Sequence, residues 1–271
     1  MRILFIGDIY GRSGREALAQ YLPHLREKLN PDVVIVNGEN AAHGRGINEK
    51  ICKGFYDLGV DCITTGNHIW DQREIIPYIQ QSKRLIRPLN YPAGTPGSGV
   101  CELRLDDGRI IKIINAMGRI FMDPLDDPFR AVSEIIDKER FGHTANAIFV
   151  DFHGETTSEK MAFAHHFDGK VTGVVGTHTH IPTADARILE KGTAYLTDAG
   201  MTGDYDSVIG ADKHVPIQRF VTKMPSDSMR PANGAGTLCG VFIVSNDNTG
   251  KAKEIAPVRL GPHLKEEMPD F

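Results

Sequence analysis

Residue types that bind metal ions stand directly after short apolar runs, scattered over the first two thirds of the chain. They combine carboxylate, amide and imidazole groups and include no thiolate, a mixture that suits Fe, Mn or Zn better than Cu(I) or Ca²⁺. In open α/β sheets, ligands bind just outside the carboxyl ends of the strands, so residues far apart in sequence can meet at one rim of a sheet. We therefore expect one metal site, built from five strand ends. Its residues are Asp8, Glu39 and Asn40, Asn67 and His68, His153, and His178 and His180.

Each of these residues also has an ordinary structural explanation when it is taken alone. A lone aspartate can cap a helix, an acidic–amide pair can form a surface turn, and a lone histidine can be a hydrogen-bonded core or loop residue. Their joint occurrence at five strand ends disfavours that set of separate explanations. In addition, residues two apart in an extended segment face the same side. We therefore expect the imidazoles of His178 and His180 to point at one metal centre.

The strands and helices that must position these residues recur at a regular spacing in the first third of the chain. Apolar runs begin near residues 3, 33 and 62 and are separated by helical patterns, a spacing of about 30 residues that is typical of βαβ units. Continuous apolar runs are also typical of parallel strands covered on both faces. We predict helices from about residue 13, at 48–58, at 128–140 and at 156–169. Further strands are predicted at 100–105, 110–116, 147–153, 171–175, 194–197, 220–223, 237–245 and 255–260.

Local motifs add detail to these elements. Ser13 with Glu16, and Thr156 with Glu159, have the spacing of capping boxes. The sequence DDG at 106–108 predicts a hairpin turn between two strands.

Composition and charge bound the class of protein. The chain has 271 residues, 41% of them hydrophobic, with 31 Lys and Arg against 35 Asp and Glu, which gives a net charge of −4. This is an ordinary globular composition, and we predict a single α/β domain over residues 1–271. The acidic balance argues against stable binding of long nucleic acid, which needs clustered basic residues.

The expected compartment is the cytoplasm. The four cysteines are scattered, which is typical of free thiols in a reducing compartment. No apolar run approaches the ~20 residues that span a bilayer, and no leader follows Met1, so no membrane partner is expected.

Five short strings carry a resemblance to a known family. They are GDIYG at 7–11, NGEN at 37–40, TGNH at 65–68, FHGE at 152–155 and GTHTH at 176–180, with DAGMTG at 198–203 as a sixth. This set resembles the calcineurin-like metallophosphoesterases, and most closely their YmdB-like branch. The resemblance implies a metallophosphoesterase-like four-layer αββα sandwich with mixed sheets.

The chain departs from the wider superfamily at four positions. Tyr10 stands where a histidine ligand is usual, Glu39 replaces the bridging aspartate, and Asn40 resembles the residue that fills the vacancy in this branch. The acid that normally follows the GNH histidine is displaced to Asp71, which leaves open whether it orients His68.

The resemblance implies a pair of transition-metal ions, divalent or trivalent, with iron favoured and manganese or zinc as alternatives. One ion would be held by Asp8, Glu39, Asn40 and His180, and the other by Glu39, Asn67, His153 and His178. The chemistry implied is hydrolysis of small phosphodiesters, with 2′,3′-cyclic nucleotides favoured, by attack of a metal-bridged hydroxide. His68 would give a proton to the leaving oxygen.

Other roles are less determined by the sequence. Arg12, Arg15, His43 and Arg45 could meet a phosphate or base, or be solvated surface charges, and the glycine-rich segment 200–210 could be a lid or a tight connection. Trp70, Tyr91 and Phe121 could anchor a homo-oligomer or be buried in the core.

Two rival functions are weighed against hydrolysis of phosphodiesters. The alternative is a regulatory protein that binds a nucleotide in the same metal pocket with little or no turnover, motivated by Tyr10 and the displaced acid. A metal-dependent amide hydrolase is disfavoured because the His-x-His pair comes late in the chain.

Overall fold

The computed structural model describes residues 1–270 and contains two mixed β-sheets with helices between their strands. In chain order the elements are β1 (Arg2–Ile6), α1 (Gly11–Leu29), β2 (Val33–Asn37), α2 (Glu49–Asp57), β3 (Cys62–Thr64), α3 (Ile75–Gln81), β4 (Val100–Arg104), β5 (Ile110–Met117), α4 (Pro128–Ile136), β6 (Ala147–His153), α5 (Thr157–His166), β7 (Gly173–Thr177), β8 (Arg187–Ile188), β9 (Ala194–Leu196), α6 (His214–Thr222), β10 (Leu238–Ser245) and β11 (Ala252–Leu260).

The first sheet has the strand order β11-β10-β1-β2-β3, and the second has the order β4-β5-β6-β7-β9-β8. Strands β1, β2 and β3 are parallel, and β10 pairs antiparallel with both β1 and β11. In the second sheet β5, β6, β7 and β9 are parallel, while the edge strands β4 and β8 run antiparallel to their neighbours. The predicted hairpin at 106–108 joins β4 to β5.

Three apolar clusters show how the layers are stacked. On β1, Leu4 and Ile6 face a cluster shared with α1 and α2, whereas Ile3 and Phe5 face a cluster between the two sheets. There the Phe5 and Phe149 rings lie 5.1 Å apart between centroids. A third cluster joins the outer face of the second sheet to α4 and α5. This alternation buries both faces of β1 and confirms the predicted four-layer αββα sandwich.

Several local predictions were wrong because tertiary contacts, and not the local sequence pattern, determine the structure there. Residues 220–223, predicted as a strand, form the end of α6. Helix α1 begins at Gly11 with Tyr10 as N-cap, and the Ser13 hydroxyl donates instead to the Gly234 carbonyl (2.6 Å). Neither predicted capping box forms.

The second capping box fails in a similar way. Thr156 is the N-cap of α5, but its hydroxyl has no hydrogen-bond partner among residues 1–270. Glu159 instead accepts the backbone N–H groups of Arg119 and Ile120. The carboxylate therefore fastens the segment after β5 rather than its own helix.

The three aromatic residues considered as anchors have different surroundings. Trp70 and Tyr91 are partly buried against the first cluster and pack edge to face on each other, with ring centroids 6.0 Å apart. The Phe121 side chain is 86% exposed, so it alone of the three stays a candidate for a contact between copies of the chain.

Candidate metal centre

The seven predicted metal ligands meet where the carboxyl ends of parallel strands from both sheets face one another. The first sheet supplies the residues after β1, β2 and β3, and the second supplies the end of β6 and the residues after β7. The expectation of a rim on a single sheet was therefore wrong. The seven residues line the seam between two sheets, which is why they are almost all buried.

Glu39, His153 and His178 form one group of potential ligands. His153 Nε2 lies 3.2 Å from Glu39 Oε2, 3.0 Å from Asn67 Oδ1 and 3.1 Å from His178 Nδ1. Three atoms that carry lone pairs thus surround one ring nitrogen.

Asp8, Glu39 and His180 form the second group, and Glu39 belongs to both. Asn40 lies beside this group, because its Nδ2 amino group donates to Glu39 Oε1 at 2.9 Å and lies 3.1 Å from His180 Nε2. Asp8 Oδ2 accepts the backbone N–H of His178 at 2.9 Å, which joins the two groups.

The His178-Thr179-His180 segment reaches the site by a backbone that was not expected. Both histidines have left-handed φ angles, 99° and 68°, so the segment is not extended. The prediction that strand alternation aims the two rings was wrong. Asp198 holds the bent segment by accepting the N–H and hydroxyl of Thr179 (3.1 and 2.8 Å).

Hydrogen bonds outside the site orient two of the imidazoles. His180 Nδ1–H donates to the Ile209 carbonyl at 2.7 Å. His153 Nδ1 lies 2.9 Å from the Thr177 hydroxyl, which donates its own proton to Asp151 at 2.7 Å. Because Nδ1 of each ring is engaged outside the site, both Nε2 atoms point into it, the orientation usual for metal-binding histidines.

Asp151 anchors this arrangement across the seam. It is fully buried and also accepts hydrogen bonds from the Asn37 amide (2.9 Å) and the Thr64 hydroxyl. Asn37 in turn accepts the backbone N–H of Glu39 at 3.1 Å. One carboxylate therefore fixes both Glu39, from the first sheet, and His153, from the second.

Burial and crowding shift the pKa values of the site. Burial raises the pKa of Asp8 and lowers that of His180. Burial, together with the charge of His153, lowers the pKa of His178 to about 3. Burial would also lower the pKa of His153, but the Glu39 carboxylate outweighs it and raises the pKa to about 9. The imidazole of His153 thus serves as counter-charge for buried carboxylates.

The donor set fits metal ions. Asp8 Oδ1 is a buried carboxylate oxygen with no hydrogen-bond partner among residues 1–270. A Cβ at Gly66 would lie 2.2 Å from Glu39 Oε2 and 2.4 Å from His153 Nε2, so this glycine lets the ligand atoms approach. Converging carboxylate, amide and imidazole lone pairs need a positive charge between them, and transition-metal ions supply it.

His68 lies at the mouth of the site. Its Nδ1 is 2.9 Å from Asp71 Oδ2, so the displaced acid does contact the ring, and Nε2 has no hydrogen-bond partner within residues 1–270. The backbone N–H of His68 donates to Glu39 Oε2 at 3.3 Å. His68 lines a pocket of about 370 Å³ together with part of both groups, namely Glu39, Asn40, His178 and His180.

The candidates for substrate contact divide into two pairs. His43 and Arg45 line the pocket. Arg12 is exposed and paired with Glu16, and the Arg15 guanidinium donates to the Ala41 carbonyl; neither lines the pocket.

The segment 200–210 packs directly against residues of the site, as a tight connection does, and is not a separate lid. Ile209 receives the His180 hydrogen bond, and a Cβ at Gly210 would lie 2.7 Å from the Tyr10 ring. Tyr10 itself packs edge to face on His180. The residue that replaces the superfamily histidine therefore packs against one of the predicted ligands.

A model of the family described as YmdB-like protein matches residues 4–258. The chain belongs to the YmdB-like family. It is 48% identical over 260 residues to a protein of Bacillus subtilis (strain 168) named 2′,3′-cyclic-nucleotide 2′-phosphodiesterase, and the match covers 96% of this chain and 97% of that one. It is 37% identical to a putative phosphatase/phosphodiesterase of Mycoplasma pneumoniae, covering 96% and 93% of the two chains.

Two solved structures share the fold of this YmdB-like chain. One is a hypothetical protein from Thermus thermophilus, with a TM-score of 0.89, 43% identity and coverage of 96% of this chain and 99% of the other. The second, described as a novel phosphatase of Mycoplasma pneumoniae, has a TM-score of 0.89, 36% identity and coverage of 96% and 93%. Among residues 1–270 no helix has the length and apolarity to cross a membrane.

Sequence reasoning missed several residues that shape this YmdB-like site. Glu155 lines the pocket with its carboxylate 3.2 Å from His178 Nε2, and its position in the FHGE string was an available signal. Lys160 is fully buried on α5 and donates to Asp198 and to the Thr177 carbonyl, both at 2.8 Å. A lone lysine in a helical pattern gives no sign of this role.

Proposed function

We propose that this protein is a metal-dependent phosphodiesterase that hydrolyses small phosphodiesters, with 2′,3′-cyclic nucleotides favoured. The observation that carries the proposal is the pair of ligand groups that share the buried carboxylate of Glu39 at the floor of a pocket. The name of the Bacillus subtilis relative supports the choice of substrate.

The proposed ligand sets follow the two groups. One ion would be held by Asp8, Glu39, Asn40 and His180, and the other by Glu39, Asn67, His153 and His178, so that Glu39 would belong to both sets. When bound, such a pair supplies positive charge beside the scissile phosphate and lowers the pKa of a coordinated water. The proposed metal is iron, with manganese or zinc as alternatives, because all three accept mixed oxygen and imidazole ligands.

His68 is the proposed proton donor. Hydrolysis forms a bond from a water oxygen to phosphorus and breaks the bond from phosphorus to the ribose oxygen, which must gain a proton. The Nδ1 contact with Asp71 orients the ring and leaves Nε2 to carry that proton. His43 and Arg45 are the proposed contacts to the rest of the substrate, since they line the same pocket, whereas Arg12 lies outside it.

The decisive experiment combines elemental analysis of the purified protein with turnover of 2′,3′-cyclic AMP. We expect about two transition-metal ions per chain and metal-dependent hydrolysis. A metal-loaded protein that is inert towards this substrate and towards aryl phosphodiesters would contradict the proposal.

The variant His68→Ala tests the assigned role of His68. We expect turnover to fall by about 10²–10⁴, the usual contribution of a general acid, while metal content stays at the wild-type level. His143→Ala is the matched control, because His143 is an exposed histidine outside the pocket. Wild-type turnover in His68→Ala would refute the role.

A regulatory nucleotide-binding protein remains the alternative function. One of its two motives was the displaced acid, and the contact between Asp71 and His68 removes it. The other motive, Tyr10, remains. Stoichiometric nucleotide binding by calorimetry with no product would favour this alternative.

We also propose that residues 1–271 form a single domain located in the cytoplasm. The apolar cluster between the sheets and the shared metal centre support one domain. The four cysteines, all buried and free, support a reducing compartment.

A further inference from the structure

A second groove adjoins the metal pocket and shares a wall with it. The two are separated by His43, whose side chain lines both, and their volumes are about 370 and 420 Å³. His43 has a left-handed φ of 55°, followed by Gly44 and Gly46 at 85° and 76°. A non-glycine residue held there is uncommon, so the turn presents this imidazole at the ridge between two cavities. We call the second cavity the side groove.

The side groove has an apolar floor and a cationic rim. Ile51, Phe55 and Leu58 of the α2 region form the floor, and Arg15 and Lys50 stand at the rim. The lining includes no carboxylate, in a chain whose net charge is −4. A surface of this kind suits a ligand that combines a flat apolar group with negative charge.

The cations nearest the ridge are not neutralised within residues 1–270. Lys50 and Arg45 form no ion pair there, whereas Lys53, one turn along α2 from Glu49, pairs with that residue at 2.7 Å. Arg12 is likewise paired with Glu16. Arg45 lines the metal pocket and Lys50 lines the side groove, so each cavity has a cation with no ion-pair partner among residues 1–270.

We propose that the side groove binds the nucleotide on the 5′ side of the reacting ribose, so that the preferred substrate is a short RNA ending in a 2′,3′-cyclic phosphate. The inference rests on the proposed function. With the cyclic phosphate at the metal centre, both the 2′ and 3′ oxygens are engaged, and an RNA chain can continue only through the 5′ oxygen. The next phosphate then faces Lys50 and Arg15, and the next base lies on the apolar floor.

The test compares kcat/KM for the dinucleotide ApA with a 2′,3′-cyclic phosphate end against kcat/KM for 2′,3′-cyclic AMP, using metal-loaded protein. We expect the dinucleotide to be favoured by about tenfold and the ratio to fall by about threefold in Lys50→Glu, the scale of a surface charge contact. Lys53→Glu on the same helix is the matched control and keeps the wild-type ratio.

Salt provides an independent readout. Each phosphate contact with a single strand adds about 0.7 to the slope of log affinity against log salt. We expect that extra slope for the dinucleotide with wild-type protein and its loss in Lys50→Glu.

A wild-type ratio of one, or equal loss in Lys50→Glu and Lys53→Glu, would overturn the side-groove proposal. Failure of the proposed function is a separate result, namely no turnover of either substrate. In that case calorimetry with adenosine 3′-monophosphate and the matching 3′-phosphorylated dinucleotide gives the same ratio from binding alone, and a ratio of one again overturns the proposal.

Discussion

At the scale of single residues, the geometry of the site depends on side chains that hydrogen-bond to the predicted ligands from outside it. The Thr177 hydroxyl accepts a hydrogen bond from His153 Nδ1 and donates one to Asp151. It therefore orients the His153 ring so that Nε2 faces the site. Partners of this kind typically contribute 10–100-fold to metal affinity. Their effect can be measured separately from the ligands themselves.

The variant Thr177→Val replaces the hydroxyl with a methyl group of similar size. We expect metal affinity to fall by about 10–100-fold, because His153 loses the acceptor that fixes its tautomer. Thr177→Ser keeps the hydroxyl and should bind metal nearly as the wild type does. Metal titration monitored by elemental analysis checks both variants, and equal affinities in the two would contradict the role.

The position of a site residue could be predicted from the sequence only where neighbouring residues in the chain determine it. The convergence of the candidate ligands after β1, β2, β3, β6 and β7 could be predicted because each follows an apolar run and strand ends are sites of ligand binding. The bent backbone of His178 and His180 could not, because it is imposed by Asp198 and Ile209 from distant parts of the chain. The contact between His68 and Asp71 likewise depends on the turn that follows β3.

At the scale of elements, the two sheets are also joined at the end of the strands opposite the metal centre. Asp32, just before β2, pairs with Arg109, just before β5, at 2.6 Å. Arg109 also approaches Asp247, which pairs with the amino group of Met1. The two sheets are therefore connected by ion pairs at one end of their strands and by the two groups of predicted ligands at the other end.

This ion pair predicts a pH dependence of stability. Burial opposes ionisation of Asp32, but Arg109 and the backbone N–H of Arg2 outweigh it and lower the pKa of Asp32. A lowered pKa in the folded state means a stabilisation that is present above the unfolded pKa, near 4, and is lost as the pH falls through the folded pKa. For a partly exposed pair we expect about 0.5–1 kcal/mol.

Urea unfolding of Asp32→Asn and the wild type at pH 7 and at pH 3 measures this effect. The difference in the free energy of unfolding should be present at pH 7 and smaller at pH 3. Asp106→Asn is the control, because Asp106 is exposed in the adjacent turn and forms no ion pair among residues 1–270. A constant difference at both pH values would contradict the prediction.

Helices and strands were predicted correctly where the hydrophobic pattern was long. They were missed where tertiary contacts determine the secondary structure. The parallel strands could be predicted because both of their faces are buried, which leaves continuous apolar runs. Helix α6 was missed because its exposed Phe220 and Val221 resemble strand residues.

At the scale of the whole molecule, the candidate metal centre lies between two sheets that contribute four and three of its predicted ligands. Removing the metal should therefore weaken the joint between the sheets. A ligand that binds only the folded state stabilises it in proportion to the logarithm of its concentration over Kd. For a chain of this size we expect removal of the ions with a chelator to lower Tm by at least about 5 °C.

Calorimetric scans of metal-loaded protein with and without a chelator test this expectation. Glu39→Gln is the control, because the loss of the proposed bridging carboxylate should make Tm insensitive to the chelator. An unchanged Tm in the wild type after metal is removed would show that the sheets hold together without the ions.

The position of β1 has a consequence for synthesis of the chain. It lies inside the first sheet between β2 and β10, yet β10 comprises residues 238–245. While a ribosome is still making the chain, one side of β1 therefore has no hydrogen-bonded neighbour until about 230 further residues have been translated. Unpaired strand edges invite aggregation, so a truncated product that stops before β10 should be a target for chaperones and proteases instead of a smaller working enzyme.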